Sequence, residues 1–184
     1  ELSAAGALTI DWAREFHHFQ LGGWNKNADF DSEIVSFTCS RPLLEWTIRR
    51  RISADFAKVR FVEQQRVTGL LASSKTHASK THITGVRLRS VSGHHDSALP
   101  AALVVDASGR SSQAPQWLES IGLTRPSETV VDPFLGYATR RYRSEFQPDW
   151  KVMLISHEPP DGTRLGYLAR IEGGEWIATL GGYG

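Results

Sequence analysis

The pattern of apolar and polar residues changes along the chain, and each pattern predicts a different element. Residues 7–39 contain short strand-like runs separated by Gly and Asn turns, and Glu33–Thr38 alternates as a strand does. A helix is predicted over Ser40–Asp55, because Ser40 can serve as an N-cap and Pro42 falls in the first turn. The apolar stripe of this helix recurs at a spacing of four residues: Leu44, Ile48 and Ile52.

Strand patterns dominate the middle of the chain. A continuous apolar run, Ala101–Val105, is typical of a strand buried on both faces, and Ala114–Ile121 predicts a short helix. The polar stretches Ser73–Thr81 and Ser92–Ser97 are predicted loops. Three further strands are predicted: Val59–Glu63, Arg66–Ala72 and His82–Arg89.

The last third of the chain predicts an antiparallel sheet. Four strand-like runs follow one another, and Pro-Asp-Gly and Gly-Gly turn signals separate the last three. They are Phe134–Tyr142, Lys151–His157, Leu165–Ile171 and Trp176–Leu180. The sequence therefore predicts a mixed α/β (α+β) fold that ends in an antiparallel layer.

Composition narrows the functional classes. The 184 residues are 40% hydrophobic and 22% charged, and the net charge is +1, so no strong field favours nucleic acid or membrane surfaces. No apolar run approaches the ~20 residues of a membrane span. Cys39 is the single cysteine, which excludes an intrachain disulfide and favours a cytoplasmic protein.

Both ends of the sequence predict an interior piece of a longer protein. The chain starts at Glu1 rather than Met, in an Ala-rich stretch that looks like the tail of a helix. It ends on Gly184, directly after a strand-like run.

The segment Leu103–Ser112 is the first candidate for chemistry. An apolar run ends at Asp106, and the small residues Ala107, Ser108 and Gly109 follow it. Ligands of open α/β sheets bind past the carboxyl ends of strands, where small residues let the backbone approach a phosphate. The alternative is an Asx turn that closes an ordinary strand.

Arg41 is the second candidate. An arginine at a helix start can present its guanidinium to a pyrophosphate, and the helix N-terminus adds its dipole. The alternative is an exposed arginine at a loop–helix junction.

Together these segments carry a resemblance to a known family. Four motifs occur in order: Ser40–Trp46, Val67–Leu70, Val104–Arg110 and Leu135–Arg140. The series resembles the FAD-dependent monooxygenases of the aromatic-hydroxylase type, including bacterial proteins described simply as FAD-dependent oxidoreductases.

The resemblance implies roles for four residues. Arg41 corresponds to the arginine that contacts FAD, and Val67 to the strand whose backbone passes the adenine. Asp106 and Gly109 match the turn beside the pyrophosphate and the nicotinamide donor. No catalytic side chain and no metal ligand is implied.

The resemblance also implies a domain division. Residues 1–125 correspond to part of a Rossmann-like FAD-binding domain, and residues 126–184 to part of a substrate domain whose strands cover the substrate above the flavin. The family's Gly-x-Gly-x-x-Gly unit is expected before Glu1, and its later Gly-Asp segment after Gly184.

The implied activity is oxidation of a small organic substrate. NAD(P)H reduces FAD, and the reduced flavin uses oxygen to hydroxylate or epoxidise the substrate. Two alternatives stay open: a flavin-dependent reductase or halogenase of the same fold, and a truncated, non-catalytic fragment or binding module.

Several polar residues are expected to have structural rather than chemical roles. His17 and His18 are adjacent, so on a strand they point to opposite faces and cannot share a metal. His94-His95-Asp96 is expected to be solvated, and Ser111 and Ser112 lack a recognisable base. The cluster Arg140, Arg141 and Arg143 is expected at a solvated strand edge, and tryptophans such as Trp117, Trp150 and Trp176 in the core or between layers.

Overall fold

The structure, a computed structural model, describes residues 1–74, 81–93 and 95–183. Most of the predicted loop Ser73–Thr81, together with His94 and Gly184, lies outside these residues. The contacts divide the chain into two compact units, Glu1–Val59 with Val131–Gly184 (unit 1) and Arg60–Val130 (unit 2).

The strands are β1 (Leu8–Asp11), β2 (Phe16–Gln20), β3 (Gly23–Trp24), β4 (Val35–Thr38), β5 (Gln65–Ser74), β6 (Thr81–Ser90), β7 (Asp96–Pro100), β8 (Leu135–Arg143), β9 (Val152–Ile155), β10 (Arg164–Arg170) and β11 (Glu175–Tyr183). The helices are α1 (Arg41–Asp55) and α2 (Ala114–Ser120).

Unit 1 is organised around a six-stranded sheet in the order β3-β2-β9-β10-β11-β8. The predicted meander is confirmed, because β9, β10 and β11 pair antiparallel in sequence order and β8 adds to the outer edge of β11. The pairing of β2 with β9 is parallel. The sheet is therefore mixed at one side, although most of its ladders are antiparallel.

The core of unit 1 lies on one face of this sheet. Ile10 of β1, Val152 of β9 and Ala169 of β10 are each at most 2% exposed and form one cluster. β1 pairs antiparallel with β4 as a separate two-stranded sheet. On the opposite face Trp176, 3% exposed, packs edge-to-face on Trp150 with ring centroids 5.3 Å apart.

Helix α1 forms where the sequence predicts it. The Ser40 side chain accepts a hydrogen bond from the backbone N–H of Leu43 at 3.2 Å, so this residue is the N-cap. Thr47 is the buried residue of the helix, and its hydroxyl donates to the carbonyl of Leu43. The predicted apolar stripe is not the buried face, since Leu44 and Ile48 remain 38% and 50% exposed.

Unit 2 contains a three-stranded antiparallel sheet in the order β5-β6-β7. Leu70 and Val86 are buried on it, and α2 contacts β5. The ladder between β5 and β6 shifts register twice, once between Val67 and Gly69. Such a shift is a β-bulge, which bends the strand locally.

Two predicted strands of unit 2 are wrong. Residues 59–63 lie in no strand, and Ala101–Val105 has neither strand geometry nor burial, because Leu103 and Val105 are 79% and 78% exposed. A strand buried on both faces needs neighbours on both edges and a layer on each face. The described residues of this unit supply only the β5-β6-β7 ladders. Conversely β7 occupies Asp96 and Ser97, which the sequence assigned to a loop.

The two compact units do not coincide with the predicted division at residue 125. Residues from both predicted domains share the large sheet of unit 1, since β2 of the first pairs with β9 of the second. The assignment of 1–125 to cofactor binding and of 126–184 to substrate binding stays a prediction.

Candidate functional site

Arg41 occupies the first position of α1, immediately after the N-cap. Its side chain is 86% exposed, and its Nε atom lies 2.6 Å from Oε1 of Glu45, one turn along the helix. The hydrogen bond to this carboxylate raises the pKa of Arg41 and keeps it charged. The guanidinium therefore projects as a cation where the helix dipole also favours negative ligands.

The start of α1 is anchored to the end of β10. The backbone N–H of Ser40 donates to Oε2 of Glu172 at 2.8 Å, and Ser40 is 4% exposed. Partial burial raises the pKa of Glu172, but its hydrogen bonds with Ser40 outweigh this effect and lower the pKa overall. The Glu172 carboxylate therefore fixes the helix start relative to the large sheet.

The sheet face that carries the core continues into a line of polar side chains. Side chains two residues apart on a strand share a face. The positions two residues from Val152 on β9 and from Ala169 on β10, and the positions paired with them on neighbouring strands, therefore point to the same side as the core cluster. Across five strands these positions hold Thr139, Thr179, Tyr167, Leu154 and His18. We call the four polar members, together with Ser156, which contacts His18, the hydroxyl row.

Two contacts within the hydroxyl row are hydrogen bonds. The hydroxyls of Thr139 and Thr179 lie 2.8 Å apart, and Nε2 of His18 lies 2.7 Å from Oγ of Ser156. Tyr167 stands between these pairs, half-buried, with its ring against the core cluster.

Tyr137 is on β8, two positions from Thr139, and therefore on the same face of the sheet as the hydroxyl row.

The Asp106 loop in unit 2 has the geometry of an Asx turn. Oδ1 of Asp106 accepts hydrogen bonds from the backbone N–H and the hydroxyl of Ser108 at 2.9 and 2.6 Å, and Oδ2 accepts one from Ser112. The Ser112 hydroxyl in turn accepts from the N–H of Ala114 at the start of α2. The local geometry is thus that of the alternative interpretation, an ordinary Asx turn. The cofactor role of Asp106 stays a prediction.

Gly109 follows this turn with a left-handed backbone. Its φ is +80°, and no atom lies within 4 Å of the position a Cβ would take. The backbone here is consequently open to a close approach from outside, as a phosphate requires.

Val67 lies on β5, the outer strand of the unit 2 sheet, at the first bulge. Backbone groups on the outer side of such a strand have no ladder partner and remain available to a ligand. The predicted adenine contact is compatible with this position and stays a prediction.

The structure groups the predicted residues in two places. Asp106 and Gly109 share one loop of unit 2, Val67 lies on the sheet of the same unit, and Arg41 lies in unit 1. Their convergence on one cofactor stays a prediction.

Sequence reasoning missed the hydroxyl row. The alternation of β10 indicates that Tyr167 shares a face with Ala169, but only the pairing register shows that Thr179 and Thr139 lie beside it.

The basic cluster lies at the edge of the large sheet, and the two adjacent histidines have different partners. β8 is an outer strand with every residue exposed, and Arg141 and Arg143 both pair with the carboxylate of Glu175. His17 contacts the side chain of Asn27, whereas His18 contacts Ser156. Within the described residues no cluster of His, Cys, Asp or Glu has the arrangement of a metal site.

Of the three tryptophans named above, Trp150 and Trp176 are buried, as predicted, and Trp117 is half-buried on α2. None of the described helices has the length and apolar character needed to cross a bilayer.

A pH-dependent contribution to stability is expected from Asp106. Its hydrogen bonds with Ser108 and Ser112 lower its pKa, so the fold favours the charged form. The contribution is present above the ordinary aspartate pKa of about 4 and is lost as the pH falls through the lowered value. Asp106→Asn should therefore lower the urea midpoint at pH 7, and its difference from the wild type should shrink as the pH falls below about 4. A Glu119→Gln control on α2 should show no such pattern, and equal pH dependence of both variants would contradict the assignment.

Comparison with known proteins gives one relative in sequence and several in structure. No family model matches the chain. Protein Rv3254 of Mycobacterium tuberculosis is 32% identical over 158 residues, which cover 82% of this chain and 31% of that protein. The chain thus spans about a third of the length of this curated relative.

Solved structures of flavin enzymes share the fold. The myxobacterial chondrochloren halogenase CndH, described as a new variant of FAD-dependent halogenases, aligns over 98% of this chain and 38% of its own, with a TM-score of 0.62 and 14% identity. The flavin-dependent brominase Bmp2 aligns over 98% and 40%, with a TM-score of 0.60 and 12% identity. The predicted mixed α/β fold is confirmed, and it matches part of the fold of these enzymes.

Proposed function

We propose that this chain is part of an FAD-dependent oxidoreductase, namely a cytoplasmic, NAD(P)H-dependent monooxygenase that hydroxylates or epoxidises a small organic substrate. The observation that carries the proposal is the alignment of 98% of the chain with CndH at a TM-score of 0.62. The order of the four sequence motifs supports the same class.

The residues present suit a flavin dinucleotide. Arg41 is a projecting cation at a capped helix start, and Gly109 offers open backbone after a left-handed turn. As the resemblance implies, we assign cofactor contacts to Arg41 in unit 1 and, separately, to Asp106, Gly109 and the backbone near Val67 in unit 2. Bound FAD would accept hydride from NAD(P)H and, once reduced, would activate O₂, of which one atom goes to the substrate and the other to water.

The sheet of unit 1 suits the substrate. Its hydroxyl row lies on the face that also holds Tyr137. In the proposed enzyme this face orients the substrate and excludes water, and we assign no acid, base or nucleophile among the described residues.

A halogenase is the second candidate, because the structural relatives named above are described as a halogenase and a brominase. Product mass distinguishes the two reactions. A monooxygenase incorporates one atom of labelled O₂ without halide, whereas a halogenase product gains bromine or chlorine only when halide is supplied. Reduction of an alkene without oxygen uptake would indicate the reductase.

The proposal is tested by expressing the complete reading frame that contains this chain. We expect a yellow protein with flavin absorbance, which oxidises NADH or NADPH when a substrate is added. A colourless, stably folded protein that does not bind added FAD would contradict the proposal. It would favour the alternative of a truncated, non-catalytic fragment or binding module.

A further inference from the structure

One face of the unit 2 sheet carries three arginines. Val86 of β6 is buried, so Arg87 and Arg89 on the same strand point to the opposite face, where both are exposed. Arg66 of β5 is directly paired with Arg89 and therefore lies on that face as well. We call Arg66, Arg87 and Arg89 the arginine face.

Within the described residues, one arginine of this face has an ionic partner. Nε and Nη2 of Arg89 lie 2.7 and 3.0 Å from the two carboxylate oxygens of Asp96 on β7. The side chains of Arg66 and Arg87 make no ion pair and no hydrogen bond with any described residue. Like charges on facing strands repel, so the two remaining positive charges favour an anion between them.

A groove of about 620 Å³ lies beside these charges. Its lining includes Arg87, the Arg89–Asp96 pair and Thr68. Thr68 lies in the bulge of β5, between the residues that pair with Leu88 and Arg87, and its side chain is half-buried. The hydroxyl of Thr68 therefore adds a neutral donor next to the guanidinium of Arg87.

The spacing of Arg66 and Arg87 suits a single small anion. The two residues are diagonal neighbours on adjacent strands, at a distance of about 7–8 Å, which long side chains can bridge. Each guanidinium can donate two parallel hydrogen bonds to phosphate oxygens. A phosphate monoester has three such oxygens and a charge of about −1.5 to −2 at pH 7, which balances two arginines. A carboxylate has one charge and would leave one arginine without a partner.

From this arrangement we propose that the arginine face binds a phosphate dianion, held between Arg66 and Arg87 with the Thr68 hydroxyl as a further donor. The phosphate is either the free ion or the monoester group of a small molecule. Asp96 keeps Arg89 neutralised, so the charge available to the ligand is that of the other two arginines. The site lies within the unit 2 sheet and does not depend on the proposed flavin chemistry.

The test uses the protein from the complete reading frame, incubated with FAD and then freed of excess FAD. Inorganic phosphate, ribose 5-phosphate and ribose are titrated by calorimetry at neutral pH and constant chloride concentration. We expect saturable binding of one phosphate group per chain and no binding of ribose. Tighter binding of ribose 5-phosphate would identify a phosphorylated small molecule as the ligand, whereas equal or weaker binding would identify free phosphate.

Substitutions of the exposed arginines locate the site. Arg87→Gln and Arg66→Gln should each raise the dissociation constant for phosphate roughly tenfold or more. Arg87→Lys should give an intermediate value, because lysine keeps the charge but lacks the planar fork. Arg125→Gln is the matched control, since Arg125 lies elsewhere in unit 2, pairs with Glu128 and changes the net charge equally.

Three results would overturn the proposal. The first is the absence of saturable phosphate binding, and the second is equal phosphate affinity in the wild type, Arg66→Gln and Arg87→Gln. The third is an equal loss in Arg125→Gln and Arg87→Gln, which would show that total charge attracts the phosphate. FAD binding is measured separately by flavin absorbance, so a failure of the proposed function is distinguishable from a failure of this site.

Discussion

Arg41→Ala is expected to raise the dissociation constant for FAD roughly ten- to a hundredfold in the protein made from the complete reading frame. The guanidinium lies at the start of α1. If the proposed cofactor role is right, a charge-assisted hydrogen bond to the pyrophosphate and the dipole of the helix both favour binding there. Arg41→Lys should keep the charge but lose the planar fork, so an intermediate affinity is expected. The measurement is a titration of the apoprotein with FAD, followed by flavin fluorescence.

Arg51→Ala is the matched control for this experiment. Arg51 belongs to the same helix and pairs with Glu1 and Asp55, so its removal changes the net charge equally at the other end of α1. We expect the FAD affinity of this variant to equal that of the wild type. Equal losses in both variants would show that total charge, rather than the position of Arg41, controls binding.

Gly85→Ala is expected to unfold the sheet of unit 2. The backbone of Gly85 has a φ of +151°, and a Cβ there would lie 2.2 Å from the carbonyl oxygen of Leu99 and 2.9 Å from Cα of Pro100. Both contacts are with the backbone of β7, which cannot move without breaking the β6–β7 ladder. We expect a loss of about 2–4 kcal/mol in the free energy of unfolding, measured by urea denaturation.

Gly93→Ala separates steric overlap from backbone strain. Gly93 also has a positive φ of +80°, but no atom lies within 4 Å of its added Cβ. The expected loss is about 1 kcal/mol, which is the cost of a left-handed alanine. If both variants lose equal stability, the contact with Leu99 is not the cause of the Gly85 effect.

Local interactions made several elements predictable from the sequence. Ser40 caps α1 through a hydrogen bond to a residue three positions away, and Pro42 suits the first turn. The last three strands are joined by turns whose residues favour reversal, so their meander follows from short-range geometry as well.

Elements that depend on distant partners were not predictable. The apolar run Ala101–Val105 has the composition of a buried strand, yet composition does not supply the neighbouring strands on which its burial depends. The parallel pairing of β2 with β9 joins segments more than a hundred residues apart, and no local signal specifies it.

For the candidate site, the order of the motifs in the sequence was the only signal that identified Arg41, Val67, Asp106 and Gly109 as candidate cofactor contacts. Asp106 shows the limit of such reasoning, because the same residues that suit a phosphate loop also form an Asx turn with Ser108 and Ser112. Tyr167 lies outside every motif, and its packing against the core cluster is visible only in the folded sheet.

By itself the sequence determined the capped helix α1, the order of the C-terminal strands and the family resemblance, because each depends on residues close together in the chain. The tertiary structure decided the sheet register, the face that each side chain occupies and which side chains are buried. These properties arise only when strands distant in sequence pair, since a shift of one residue in register moves every side chain to the other face.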